Sequence, residues 1–158
     1  MPATTTATIT EHALSLVTQV YEVGDTLAQQ IAEVLAELDL TEPQGTMLWA
    51  LAPNTPPVPM RELAHKLHCD PSNISLLGDQ LQAAGLVERQ PDPTDGRRRI
   101  LVLTDQGVQA WSRLLERIQQ RSALFTLSVK EQKQLIALLE RVQTNNAQLP
   151  TGFLTRTS

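Results

Sequence analysis

Residues 60–104 read MRELAHKLHCDPSNISLLGDQLQAAGLVERQPDPTDGRRRILVLT, and the order of signals in this stretch decides the fold. A helical pattern opens at Met60 and runs to about His68. Asp70-Pro71-Ser72 then starts a second helix; proline suits its first turn because the N–H it lacks would have no partner there. Gly85 stops that helix after Ala84. Leu86–Arg89 and Arg99–Leu103 read as strands, and the turn residues Asp92-Pro93-Thr94-Asp95-Gly96 between them predict a hairpin. Just upstream, Val58-Pro59 can form a short edge strand.

Helices flank this stretch on both sides. From about Glu11 to Leu38, Leu14, Val17, Tyr21, Gly24, Ala28, Ile31, Leu35 and Leu38 recur in steps of three and four. Val20, Val23, Leu27 and Val34 add a second stripe, so this helix should be covered on more than one side. Ile31, mid-stripe, is the probe of a dimer built on this helix: a charge buried there should dissociate or unfold the protein. Thr41 caps a second helix reaching about Ala52, before Pro53–Pro57 breaks the chain. Thr104 caps a fifth helix, with a stripe of Val108, Trp111, Leu115, Ile118, Ser122 and Phe125. Ser128 and Glu131 form a capping box for a sixth, which Pro150 ends. The expected class is mainly α with a small β-hairpin wing. Helices over 10–40 and 105–148 form a dimerisation region, 41–104 a winged helix-turn-helix, and 149–158 a tail.

Charge separates these parts. The chain of 158 residues carries a net −4, but residues 1–58 hold seven acids and no Lys or Arg. Residues 59–104 balance six of each sign, and residues 105–158 carry seven bases against four acids. Within the neutral middle, Arg97-Arg98-Arg99 stand together. Aromatic residues are only 3% of the chain, so the core must rest on Leu, Val, Ile and Ala. A small helical protein that needs more burial can find it in a second subunit. No apolar run is long enough to span a membrane, and the start lacks the pattern of a signal peptide. Cys69 is the single cysteine, which suits a reducing cytoplasm.

Two short helices joined at Cys69-Asp70 and followed by a hairpin make a winged helix-turn-helix, with the helix from Pro71 as its recognition helix. Ile74, Leu77, Gly78 and Leu81 should face inward onto Leu63 and Leu67. The opposite face offers Ser72, Ser75, Leu76 and Asp79, flanked by Asn73 and Gln80. Small polar groups there can donate and accept to base edges in a major groove. Ser72 and Asn73 could equally cap the helix, and Leu76 could meet a thymine methyl or simply be exposed. An arginine-rich ribbon tip suits the negative potential of a narrow minor groove.

Taken together, Arg61-Glu62-Leu63-Ala64, Cys69–Asn73, Gly85–Arg89, the wing Asp92–Arg97 and the exit Leu103-Thr104 resemble the DNA-binding region of MarR-family regulators. The resemblance covers roughly residues 10–148. It implies a cytoplasmic homodimer that represses transcription at a palindromic operator on double-stranded DNA. It also implies a pocket for a small-molecule effector between the dimer region and the winged region. In that family the wing arginine enters the minor groove with an aspartate bracing it, which maps to Arg97 and Asp95. The chain departs from many relatives in having Leu76 and Gln80 where they carry arginine. The reading therefore leans on Arg97, Arg99, Arg61 and Lys66. His12, Tyr21, Met47 and Trp49 are the candidate effector contacts, suited to an aromatic or amphipathic molecule, or else core and dimer packing.

Three other readings compete. Cys69 near a helix start could act as a redox switch, although Asp70 beside it opposes thiolate formation. His65 and His68 could share a helix face with Cys69 nearby as a metal site, but no fourth ligand is in sight. No phosphate loop, nucleophile elbow or paired-carboxylate motif suggests an enzyme, and no cofactor is expected.

Overall fold

The computed structural model describes residues 3–53 and 55–146; Asn54, Pro150 and the tail over 149–158 lie outside the described residues. Two compact units meet in sequence at Arg121 and Ser122. The first runs α1 (Ala3–Glu37), α2 (Glu42–Ala50), α3 (Met60–Lys66), α4 (Pro71–Ala83), β1 (Val87–Pro91), β2 (Arg99–Leu103) and α5 (Asp105–Arg121). The second holds a 3-10 turn, Ala123–Thr126, and α6 (Val129–Asn146). No helix among the described residues is long and apolar enough to cross a membrane.

Local chemistry sets most boundaries. Thr41 and Gln44 form a reciprocal capping box for α2, with Thr41 N donating to Gln44 Oε1 at 2.9 Å. Thr104 Oγ1 accepts from Gly107 N at 3.0 Å and donates to Gly85 O at 2.6 Å, so one hydroxyl starts α5 and ties it to the end of α4. Gly107 is required there: a Cβ would run into the Leu86 carbonyl, which is backbone and cannot yield. In the second unit Ser128 and Glu131 close the expected box on α6, with Ser128 N donating to Glu131 Oε2 at 2.8 Å.

One core joins Met47 and Leu48 of α2, Leu63 and Ala64 of α3, Ile74 and Leu81 of α4, and Leu86, Val87 and Leu101 around the hairpin. A second joins Val34 and Leu35 of α1 to Leu114 and Ile118 of α5. The hairpin is antiparallel, with Arg89 opposite Leu101 and Gln90 opposite Ile100. Pro59 forms an isolated bridge to Ile100, the expected edge strand in its shortest form.

Several expectations change. α1 begins at Ala3 instead of about Glu11, and the first strand spans Val87–Pro91 instead of Leu86–Arg89. The fifth helix stops at Arg121, short of Phe125. Ser122 takes an extended backbone (φ −92, ψ 126), and its hydroxyl accepts from Leu124 N at 3.4 Å, so it caps the next turn instead of continuing the stripe. Along α5 the buried positions are Gly107, Leu114 and Ile118, while Val108 is exposed. Ile31 packs against the α1–α5 core within its own chain, so it is a poor probe of a subunit contact. The first half of the same stripe differs: Leu14, Val17 and Tyr21 are 66%, 67% and 72% exposed. The α5 helix covers the C-terminal half of α1 and leaves these uncovered.

Candidate nucleic-acid interface

The turn between α3 and α4 presents α4. After Lys66 the chain leaves the helix through His68, whose φ of +50° is left-handed, and Cys69 N returns to Ala64 O at 3.0 Å. Asp70 is the N-cap of α4 in extended conformation without a side-chain cap bond, and Pro71 occupies the first turn. Ser72 and Asn73 thus lie inside the helix, which removes the capping role considered for them. Ile74, Gly78 and Leu81 are buried, with Leu77 packed beside them against the core that contains Leu63. Ser72, Asn73, Ser75, Leu76, Asp79 and Gln80 are exposed together on the far side. The 3.6-residue period of α4 thus separates an anchoring face from a presenting face.

The wing tip is organised by two aspartates. Asp92, buried at the base of the turn, accepts from Thr94 N at 2.8 Å and Thr94 Oγ1 at 2.7 Å, while its own N–H donates to Arg98 O at 3.0 Å. Asp95 Oδ1 accepts from Arg97 N at 3.1 Å, and Asp95 Oδ2 meets Arg98 Nε at 3.2 Å. The side-chain pairing of Asp95 with Arg97 expected above is therefore not the one formed. Asp95 fixes the backbone at Arg97 and neutralises Arg98, which leaves the exposed Arg97 side chain projecting without an acidic partner.

The two hydrogen bonds from Thr94, side chain first and then backbone, hold the Asp92 carboxyl below its ordinary value of 3.8. A lowered folded-state pKa stabilises the wing above the unfolded value, and this contribution fades as pH falls through the folded one. A 13C NMR titration should accordingly place the Asp92 carboxyl midpoint under 3.8. Thr94→Ala should return it toward that value, whereas an unchanged midpoint would contradict the turn described here.

Charge pairing sorts the cations. Lys66 pairs with Glu62 at 3.8 Å, Arg89 with Asp79 at 2.6 Å, and Arg98 with Asp95. Among the described residues, Arg61, Arg97 and Arg99 enter no ion pair. Arg61 and Arg99 border two adjoining open grooves beside α3, of about 650 and 700 Å³. Within the winged region the cations without an ion pair thus sit on α3 and the hairpin, and α4 itself carries none.

The remaining candidates are dispersed. Met47 is fully buried in the core, whereas Trp49 is half-exposed and Tyr21 and His12 are exposed on α1. Because α3 ends at Lys66, His65 and His68 do not share a helical face, and no cluster of three or more His, Cys, Asp or Glu able to hold a metal occurs among the described residues. Cys69 is exposed, with its thiol 3.2 Å from Leu67 O. Sequence reasoning passed over Asp92 and Arg89. For Arg89 the signal was the strand alternation that puts it on the same side as buried Val87.

This recognition helix, hairpin wing and flanking helices define a winged helix-turn-helix protein. The MarR family profile matches residues 40–98. A Thauera aromatica protein assigned to transcriptional regulation of the hcr operon is 35% identical over 108 residues, 67% of this chain. The chain spans 64% of that relative's length. A Pseudomonas aeruginosa protein classed as a transcriptional regulator is 30% identical and matches over 80% of this chain and 98% of its own, with a TM-score of 0.54. Apo wild-type MarR from E. coli is 25% identical over 80% of this chain and 96% of its own, with a TM-score of 0.62. A mutant of it in complex with operator DNA gives 0.57 at 25% identity, over 83% and 95%. The chain belongs to the MarR family.

Proposed function

We propose that this chain is a homodimeric, ligand-responsive transcriptional repressor that binds a palindromic operator on double-stranded DNA. The observation that carries the reading is the pairing of an exposed polar recognition face on α4 with an unpaired Arg97 at the wing tip. The first offers hydrogen-bonding groups of the size that reads a major groove, and the second a guanidinium suited to a narrow minor groove. The operator-bound structure of E. coli MarR, a relative over 83% of this chain, supports the same reading. A dimer is supported by the uncovered apolar residues of α1 and, separately, by exposed Val129, Ile136, Leu138, Leu139 and Val142 on α6. The effector part rests on Trp49 and Tyr21, which leave aromatic surface open; quenching of Trp49 fluorescence by phenolic ligands tests it.

The direct test is selection of duplexes from random sequence by the purified protein, followed by footprinting. Two recognition helices related by a two-fold axis should protect two half-sites about 10 base pairs apart, or a multiple of that. Ser75→Ala or Asn73→Ala should relax preference at a definite base position, by ~1–3 kcal/mol for a bidentate contact. Failure to enrich any duplex, or protection of a single asymmetric half-site, overturns the reading.

A further inference from the structure

We infer that Arg89 is a positioning residue for DNA recognition, acting through Asp79 on the recognition helix and not through its own contact with DNA. From Pro71 to Ala84 the chain has one charged residue, the acid Asp79, on the exposed face of α4. Bare, that carboxylate would repel phosphate on the surface meant to approach it. Arg89 reaches across from β1, Nη1 lying 2.6 Å from Asp79 Oδ1 and 3.2 Å from Gln82 Oε1. Its Nη2 donates to the Ser75 carbonyl at 3.3 Å. Residues 75, 79 and 82 stand one above another along α4, so a single planar guanidinium holds two turns of that helix.

The packing leaves room for this reach. A Cβ on Gly78 would come within 3.4 Å of Arg89 Nη2 and 3.2 Å of Leu101 Cδ1, tight contact on both. With glycine there, the guanidinium lies close over the helix while Leu101 of β2 packs beneath. Arg89 is correspondingly the less exposed partner, its side chain 29% accessible against 60% for Asp79. An arginine so engaged has few donors left for phosphate. The clamp ties the wing strand to the recognition helix and cancels the one charge on that helix that opposes DNA.

The inference rests on the DNA-binding reading, and the test separates the two. Operator affinity is measured by fluorescence anisotropy on a duplex selected by the wild-type protein, across a series of salt concentrations. Arg89→Gln should weaken binding about tenfold or more in the wild-type background. In an Asp79→Asn background the same change should cost less than about threefold, because no bare carboxylate is left behind. Arg89→Lys, which can still neutralise Asp79 but cannot span three acceptors, should fall between. A direct phosphate contact predicts instead an equal loss in both backgrounds and a salt slope lower by about one per protomer. That result overturns the inference, as does an Arg89→Gln effect under twofold. Melting temperatures of the variants should stay close to wild type, since an ion pair with a solvent-exposed carboxylate contributes little to stability. A wild-type protein that selects no duplex overturns the DNA-binding reading and this assignment with it, whereas an equal loss in both backgrounds overturns this assignment alone.

Discussion

Arg97→Ala is expected to abolish most operator affinity while leaving assembly and thermal stability unchanged. The side chain is exposed and makes no ion pair, so its removal takes little from the folded monomer. Its backbone, by contrast, is held: Arg97 N donates to Asp95 Oδ1, and Arg98 N donates to Asp95 O at 2.9 Å. The arginine is therefore presented from a fixed turn, and little ordering entropy remains to be lost when its guanidinium enters a groove. A hydrogen bond from a charged group contributes ~1.5–3 kcal/mol, so a dimer that loses one in each protomer loses roughly 3–6 kcal/mol. Asp95→Ala should cost less than Arg97→Ala, because it loosens the turn without removing the reading group. Arg98, neutralised by Asp95, should matter least of the three arginines. Fluorescence anisotropy on the selected duplex checks the order. Arg97→Ala binding like wild type would mean that the wing does not touch DNA.

What the sequence disclosed follows from which forces are local. The limits of α2, α4 and α6 rest on Thr41, Pro71, Gly85 and Ser128, each acting within a few residues, and all were readable from spacing. The division of α4 into an inward face at Ile74, Gly78 and Leu81 and an outward face was readable for the same reason, since periodicity is a property of one helix. Arg89 is the opposite case. Its role comes from α4, seven residues or more back in the chain, and a strand arginine in isolation looks like any solvated charge. The wing misled in a subtler way. Asp95 precedes one arginine by two positions and another by three, and spacing did not decide that it would give its backbone support to the first and its charge to the second. The end of α5 misled because Phe125 prolongs the helical stripe, while one serine in extended conformation had already broken the helix. Ile31 was placed on the right stripe, and within one chain it packs against the core that α1 shares with α5. A stripe tells which residues are buried together and is silent on whether the cover comes from α5 or from a second chain.

That ambiguity is resolved by a charge on the uncovered half of the stripe, and Val17→Asp is expected to convert a dimer into a monomer. Val17 is 67% exposed, with Leu14, Val20, Tyr21 and Val23 exposed around it, whereas Val34 and Leu35 further along are sealed against α5. Substitution at Val17 therefore spares the monomer's own core. If the N-terminal half of α1 packs on its counterpart, a two-fold interface places two carboxylates in apolar surroundings, and an unpaired buried charge costs several kcal/mol. At about 1.4 kcal/mol per tenfold, the dimer dissociation constant should rise by a thousandfold or more. Sedimentation at micromolar concentration should give a dimer for wild type and a monomer for Val17→Asp. Leu76→Ser, which changes an exposed leucine on the recognition face, should remain a dimer. The monomer should also lose helix by circular dichroism, because the apolar face of α1 before Leu27 would lose its cover, and most helical stability in proteins comes from such packing. DNA binding should fall with it, since one recognition helix and one wing reach a single half-site. A wild-type protein that sediments as a monomer, or a Val17→Asp variant that still dimerises, would mean that this face of α1 is covered by something other than a second copy of the chain.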